Sequence, residues 1–307
     1  MRRVLLVCLL LLPGSRVFAS CGSASCPLDL NALNRPMPGR FTLDLSFEYI
    51  DQDRPMIGRR GAAVGELASH HDEVRTVNRR AALQLQYAPS ERLQFSATMP
   101  WISRSHDHLA SSHAHGRPVA VEHNVIPEHW DATGNGDLLF QARTRIAGSL
   151  WATGGVEVPT GADDVSNNGG EVAEMTIQPG SGGTDVLLGL AYEHARFFTS
   201  ATYRRNGEAH DYRFGDEWLL NAGTAIPLLA RTELLLQANA RIRGRDDEAG
   251  VREPFTGGSA VYATPGLRVN VGRYAVYGLL QVPLYQRVNG LQLTANRNFV
   301  TGVQARF

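Results

Sequence analysis

The chain has 307 residues, of which 43% are hydrophobic and 20% charged, and its 30 acidic residues balance 30 cationic residues that are all arginine. This hydrophobic content excludes wholesale disorder, and zero net charge argues against a general nucleic-acid-binding protein, which needs a basic excess. Beyond the N-terminus no apolar run reaches the roughly 18 residues of a membrane-spanning helix, although alternating β-strands can still cross a bilayer.

The N-terminus predicts export from the cytoplasm. Residues 1–19 begin with a short arginine-containing start, continue with an apolar core and end in Val17-Phe18-Ala19, which is the order of a secretory signal peptide. The next segment, 20–38, carries Cys21 and Cys26, and an exported pair this close predicts a small disulfide loop. A lipid-modified Cys21 and a metal-handling dithiol are the alternatives. We expect this N-terminal segment to lie in the periplasm or to plug the lumen of the domain that follows.

From residue 39 onward the chain alternates apolar and polar residues with a period of two. Segment 41–49 places its apolar and aromatic residues on one face and polar residues on the other, and segments 77–87 and 93–101 do the same. This is the period of β-strands and not the 3.6-residue period of a helix. Counting along the chain predicts twelve strands, at 41–49, 77–87, 93–101, 135–146, 150–158, 184–194, 197–204, 216–226, 232–243, 259–271, 274–286 and 297–307.

The predicted connections alternate between short and long. Five are short, and six are long, at 51–75, 103–134, 159–183, 205–215, 244–258 and 287–296. An even-stranded barrel with both chain ends in the periplasm requires this pattern, and Phe307 gives the last strand an aromatic end. We therefore predict that residues 39–307 form an all-β, twelve-stranded antiparallel transmembrane β-barrel in the cell outer membrane. A soluble β-sandwich is the alternative.

The polar faces of these strands carry charges of both signs. In a barrel that spans a membrane, the apolar faces contact the lipid bilayer and the polar faces point into a wet lumen. The charged residues predicted to face the lumen are Asp44, Glu48, Arg80, Arg143, Arg145, Glu157, Asp185, Glu193, Arg204, Glu217, Glu233, Arg241, Arg243, Arg268 and Arg306.

Three glycine-containing motifs stand at strand boundaries in a fixed order. Gly134-Asn135-Gly136-Asp137 opens a strand, Pro159-Thr160-Gly161 closes the next, and Gly180-Ser181-Gly182-Gly183-Thr184-Asp185 opens the one after. With the C-terminal run 302–307, this order resembles the transporter-like outer-membrane proteins named for the meta-pathway of phenol degradation. The resemblance covers residues 39–307 and implies an outer-membrane barrel that transports a solute. The cysteine-containing head and the histidine-rich loops are not part of that family's pattern.

Eight of the ten histidines lie in the first two predicted long loops. Imidazole and carboxylate groups suit Zn²⁺, Cu²⁺ or Ni²⁺. Residues i and i+2 of an extended backbone point the same way, so each His-x-His can offer two ligands. The histidines proposed to converge on a divalent metal, Zn²⁺ or Cu²⁺, above the barrel mouth are His70, His71, His106, His108, His113 and His115. The alternative is that they are solvated loop residues.

The expected function is passage or binding of a small solute, with a divalent metal ion or its complex as one candidate. A non-conducting barrel that captures metal for a periplasmic partner, or an assembly protein of the outer membrane, is the alternative. A lipid-modifying enzyme is a third class. The chain lacks the His-x-Ser-Asn-Gly type of motif found in barrel phospholipases, and it has no P-loop or dinucleotide motif, so we expect that it is not an enzyme.

Overall fold

The computed structural model describes Leu28 and residues 39–66, 72–111, 125–166, 170 and 172–307. The regular structure of these residues is entirely β. The strands are β1 (Phe41–Ile57), β2 (Arg60–Gly61), β3 (Asp72–Ser90), β4 (Leu93–Ser111), β5 (Val125–Asn135), β6 (Leu138–Ala147), β7 (Leu150–Val158), β8 (Asp185–His194), β9 (Phe197–Arg205), β10 (Glu208–Ala209), β11 (Tyr212–Arg213), β12 (Glu217–Leu229), β13 (Thr232–Arg243), β14 (Asp247–Glu248), β15 (Val251–Arg252), β16 (Gly258–Val271), β17 (Tyr274–Val288) and β18 (Leu291–Arg306). This part of the chain contains no helix long and apolar enough to cross a membrane.

The long strands close into one antiparallel barrel. Each pairs with the next long strand along the chain, and β18 returns to β1, with a register that begins at Thr42 opposite Arg306. β5 and β6 together make one barrel strand, because β4 pairs with β5 from Trp101 upward and with β6 from Thr98 downward. The barrel therefore has twelve strands, and the predicted fold class is confirmed.

Alternation along the strands decides which side chains line the lumen. Leu85 and Leu236 are 46% and 38% exposed, whereas their neighbours Gln86 and Gln237 are 4% and 5% exposed. Because successive side chains of a strand point to opposite faces, the apolar set forms most of the outer surface and the polar set most of the interior, beside a buried apolar cluster that includes Ile50 and Phe198. This arrangement is the reverse of a water-soluble protein, which covers most of its apolar side chains. The inward and outward faces expected from the sequence are thereby confirmed at these positions.

Several strands are longer than predicted at the end that carries the long loops. β1 continues to Ile57, and β4 continues to Ser111 before β5 begins at Val125, so most of the predicted loop 103–134 is strand. The prediction ended each strand where its outer face stopped being apolar. A backbone ladder needs only paired N–H and C=O groups, so it continues where both faces are polar.

The predicted long loop 287–296 is wrong. β17 and β18 are joined by the two-residue turn Asn289-Gly290, in which Gly290 has φ of 62°. Gly290 takes the left-handed conformation of this turn, which glycine adopts without steric strain, whereas the φ of Asn289 is not positive. The barrel is therefore closed at its last hairpin by a tight turn.

Two of the outer loops share a small sheet of their own, formed by β10, β11, β14 and β15. The buried carboxylate of Asp246 holds it together, accepting hydrogen bonds from Tyr212 Oη at 2.6 Å and from Gly215 N at 2.8 Å. Arg243 neutralises the same carboxylate at 2.5 Å. Burial, followed by the nearby Asp246, raises the pKa of Tyr212 far above its usual range, so the phenol remains a hydrogen-bond donor.

Candidate functional site, a charged passage through the barrel

Two of the cavities inside the barrel lie one above the other. The upper chamber, of about 200 Å³, lies toward the long loops, and the lower chamber, of about 210 Å³, lies toward the short turns. Arg80, Thr98, Leu139 and Arg204 line both chambers. We call these four residues the neck, because a solute that passes from one chamber to the other must pass them.

One wall of the neck is a ladder of opposite charges on neighbouring strands. Arg204 Nη2 on β9 donates to Glu157 Oε2 on β7 at 2.7 Å. Its guanidinium also lies 3.7 Å from Glu217 Oε1 and 4.0 Å from Asp185 Oδ2. Glu217 in turn accepts a 2.6 Å hydrogen bond from Arg241 Nε. The register brings these side chains together, since Glu157 stands opposite Asp185 and Glu217 stands opposite Arg204.

The other wall of the neck carries the pair Arg80 and Glu48. They are direct neighbours across β3 and β1, and Arg80 Nη1 lies 2.9 Å from Glu48 Oε1. Charges in a narrow passage interact more strongly than in bulk water, and a buried carboxylate is costly unless a cation and hydrogen bonds compensate it. The neck is therefore lined by charges of both signs, and each contact between an acid and an arginine lowers the free-energy cost of burying both groups.

An inner loop connects β7 and β8, and the structure describes its residues 159–166, 170 and 172–184. It lines the upper chamber through residues 175, 176 and 178–181. Asp137 anchors both ends of this loop, accepting hydrogen bonds from Gly161 N at 2.9 Å and from Ser181 N and Oγ, both at 2.7 Å. A Cβ atom added to Gly180 would lie 2.7 Å from the carbonyl carbon of Gly161, so the two backbones touch and a side chain does not fit. The glycine motifs found in the sequence thus allow the loop to fold inward.

The middle of the inner loop is held from inside the barrel. Arg104 on β4 donates through Nη1 to the carbonyl oxygens of Thr176 and Gln178, the latter at 3.5 Å. Ile177 is buried in a small apolar cluster with Trp130 of β5. These contacts place the loop in the lumen, where it narrows the passage above the neck.

Glu174 gives the inner loop a titratable group. Burial, followed by the nearby carboxylates of Glu73 and Glu248, raises the pKa of Glu174 to about 8. The side chain is therefore mostly protonated at neutral pH while the loop is folded inward. Exposure to water returns the pKa toward its ordinary value, so deprotonation favours an open loop.

Leu28 lies in the lower chamber and packs against the apolar cluster that includes Ile50 and Phe198. It belongs to the N-terminal segment predicted over 20–38, whose placement in the periplasm or as a plug of the lumen stays a prediction. Cys21 and Cys26, like the signal peptide predicted over 1–19, lie outside the described residues.

The six histidines proposed as metal ligands meet different outcomes. His106 and His108 lie on β4 and not in a loop. His106 Nδ1 lies 2.8 Å from Thr76 Oγ1, and His108 Nε2 lies 3.0 Å from Glu128 Oε2. His70, His71, His113 and His115 lie outside the described residues. Within the described ranges, no group of three or more His, Cys, Asp or Glu side chains is arranged to hold a metal ion, and the six-histidine site stays a prediction.

Sequence reasoning identified most charged residues of the neck but missed the residues that hold the inner loop above it. Asp137 was part of a recognised motif, yet a motif at a strand boundary does not say which backbone groups its carboxylate will bind. Arg104 was assigned to a loop, because the outer face of β4 turns polar after Trp101. A continued period-two pattern, with Ile102, Arg104 and His106 on one face, was the available signal.

The barrel resembles solved outer-membrane proteins in its fold. An outer membrane channel from Pseudomonas putida F1 superimposes with a TM-score of 0.60 at 14% identity, covering 88% of this chain and 96% of that one. The Pseudomonas putida toluene transporter TodX gives a TM-score of 0.49 at 12% identity, over 94% of this chain and 99% of its own. A Pseudomonas aeruginosa FadL homologue gives 0.47 at 11% identity, over 94% and 96%. The last two match too loosely to carry an argument.

No protein-family model and no curated protein matches the chain. The structural superposition establishes the fold of an outer-membrane barrel. The finer resemblance to the phenol meta-pathway proteins stays a prediction.

Proposed function

We propose that this chain resides in the outer membrane and forms a passage for small polar solutes. The observation that supports it is the pair of lumen chambers that meet at one neck of charged residues. The channel fold supports the same proposal, and no covalent chemistry is part of it. The five short turns would face the periplasm and the long loops the outside, as in other barrels of this kind.

The lining of the neck favours polar solutes over hydrocarbons. A solute in the neck displaces water from the guanidinium of Arg204 and from the carboxylates around it, and only a polar solute can replace those hydrogen bonds. Chambers of about 200 Å³ restrict the solute to small molecules and ions. Because positive and negative groups share the neck, ions and zwitterions of modest size fit this proposal best.

Conductance across planar lipid bilayers tests the proposal. The purified full-length protein should give discrete conductance steps in potassium chloride, and the reversal potential in a salt gradient should report its ion selectivity. Arg204→Gln should shift selectivity toward cations, because it leaves Glu157, Asp185 and Glu217 with less compensating charge. Arg273→Gln is the matched control, since Arg273 is exposed at a short turn outside the lumen.

The expected result is a shift in reversal potential for the neck variant and none for the control. Conductance that is absent for the folded wild-type protein, or selectivity that changes equally in both variants, would contradict the proposal. Heat-dependent migration on gels, a property of folded barrels, shows whether each variant has folded. External labelling of a cysteine introduced at Val251, but not at Ser90, tests the orientation independently.

A further inference from the structure

Four arginines form a cationic patch on the outer surface of the barrel, at the end with the long loops. They are Arg54, Arg59, Arg287 and Arg297, and all four side chains are exposed. Among the described residues, none of the four forms an ion pair with a carboxylate, whereas nearby Arg60 is paired with Glu66. We call these four residues the arginine patch. Its charge is therefore available to a ligand outside the barrel.

Irregularities in the barrel seam expose two members of the patch. The register between β1 and β18 shifts twice between Ile50 and Arg54, opposite residues 294–298. Bulges of this kind re-aim the side chains beside them. Arg54 and Arg297 are both exposed here, and Arg54 Nη1 lies 3.4 Å from Asn296 Oδ1. The seam thus directs two guanidinium groups toward the surroundings of the barrel.

The other two members are brought together by a hydrogen bond between neighbouring hairpins. Val288 N donates to Gly58 O at 2.9 Å, which places Arg287 beside Arg59. The Arg59 guanidinium lies 5.0 Å from the centre of the Tyr285 ring. Tyr285 and Arg287 are two residues apart on β17 and point the same way. Stacking on a ring orients a guanidinium and leaves its N–H edge free to donate.

Three members of the patch lie above a band of apolar side chains, whereas Arg297, next to the Asn298 that pairs with Gln281, lies at the level of Val282. Leu284 is 69% exposed, and Val282 and Phe299 are also exposed on the same side of β17 and β18. In an outer-membrane barrel such residues contact acyl chains, and aromatic residues such as Tyr285 mark the level of the headgroups. Arg54, Arg59 and Arg287 therefore stand at headgroup level, on the side of the membrane that faces the outside, and Arg297 lies just below them.

We propose that the arginine patch binds the phosphate groups of a phosphorylated glycolipid of the outer leaflet, of the lipid A class. The planar guanidinium matches phosphate oxygens bidentately. The acyl chains of the same molecule would lie against Leu284 and Phe299, which distinguishes a lipid from a soluble anion. This site is separate from the lumen, so it does not depend on the proposed passage of solutes.

Binding of bis-phosphorylated lipid A to the detergent-solubilised full-length protein tests the proposal, with dephosphorylated lipid A as the second probe. The test variant combines Arg54→Gln, Arg59→Gln, Arg287→Gln and Arg297→Gln. The matched control combines Arg92→Gln, Arg196→Gln, Arg231→Gln and Arg273→Gln, four exposed arginines at the short turns of the opposite end. Arg273 also lies over an aromatic ring, that of Tyr274 at 5.0 Å, so the control includes a stacked guanidinium.

The test variant should lose roughly 10- to 100-fold in affinity for bis-phosphorylated lipid A, given the attraction of each arginine to an anionic membrane surface. The control should retain wild-type affinity, and dephosphorylated lipid A should bind all three proteins equally and weakly. The proposal would be overturned if the test and control variants lost affinity equally, or if neither lost affinity. It would also be overturned if the wild-type protein bound dephosphorylated lipid A as tightly as bis-phosphorylated lipid A. If the fourfold variant does not fold, the double variants Arg54→Gln/Arg297→Gln and Arg59→Gln/Arg287→Gln provide the same comparison.

Discussion

The lower and upper parts of β4 form one continuous strand but face different surroundings. Below Trp101, the outward positions are apolar and exposed, as at Phe95 and Met99. Above Trp101, the same outward positions hold Ser105 and Asp107. The inner face is polar along much of both parts, and the backbone pairing with neighbouring strands does not change. The comparison shows that the surroundings of the barrel, lipid or water, decide which residues occupy the outer face. The backbone hydrogen bonds between strands are the same in both surroundings.

The most direct test of this comparison places one cationic side chain on the apolar outer surface of the barrel, on β13, and another on the polar outer surface of β4. We expect Leu236→Arg to cost about 2–4 kcal/mol of unfolding free energy, because it places a charge at the level of the bilayer interior. Ser105→Arg, which is outward but above the apolar band, should change stability by less than about 0.5 kcal/mol. Urea titration in phospholipid vesicles, followed by tryptophan fluorescence, measures both.

Gln237→Arg is the control for the first prediction, since it changes the next residue of the same strand but points into the lumen. Its cost should be well below that of Leu236→Arg. Similar costs for the two would mean that the inner and outer faces of β13 are not distinguished by lipid.

The inner loop lies at the end of the barrel that carries the long loops, and its position depends on hydrogen bonds rather than on contact with lipid. Asp137→Asn should loosen it by about 1.5–3 kcal/mol, because the carboxylate accepts from Gly161 and Ser181 and a hydrogen bond to a charged group has about that value. Hydrogen exchange of residues 159–184 should accelerate while the strands stay protected. Asp163→Asn is the control, as its carboxylate contacts only the exposed His210 among the hydrogen bonds described for it. If both variants accelerated hydrogen exchange of the loop equally, Asp137 would not be its anchor.

The same loop should respond to pH through Glu174. A carboxyl group whose pKa is raised by folding to about 8 favours the folded loop at low pH, and that stability is lost as the pH rises from the ordinary value of 4.5 toward 8. We expect exchange of the loop to be at least tenfold faster at pH 8.5 than at pH 5, after correction for intrinsic exchange rates, since each unit of the pKa shift corresponds to a factor of ten. Glu174→Gln should remove this dependence, and a variant that keeps it would show that another group titrates.

The smallest effect is expected on the outer face of the upper part. His129 lies 2.6 Å from Asp107 Oδ1 and 3.2 Å from Asp131 Oδ2, but all three side chains are exposed. Ion pairs in water contribute little, so His129→Ala should cost less than about 0.5 kcal/mol at pH 5.5 in a urea titration. A cost above 1 kcal/mol would indicate that this face is covered in the folded protein.

Much of the barrel was predictable because a transmembrane strand repeats its pattern every two residues. That pattern gave the twelve strands, their inner and outer faces, and the charged residues of the lumen, including Glu157, Arg204 and Glu217. The pattern failed where the two faces of a strand do not differ in polarity. The strand ends above Trp101 are polar on both faces, and the last hairpin was missed although Asn289-Gly290 is a strong local turn signal.

The sequence by itself determined the fold class and the side-chain directions in the parts of the strands that face lipid, since lipid outside and water inside impose opposite residue types on alternate positions. Only the tertiary structure decided which charges meet. Glu157, Asp185, Arg204 and Glu217 lie on β7, β8, β9 and β12, and their contacts depend on the shear of the closed barrel, which no local pattern encodes. The inward fold of the inner loop was equally undetermined, because it depends on contacts of Asp137 and Arg104 with backbone groups far along the chain.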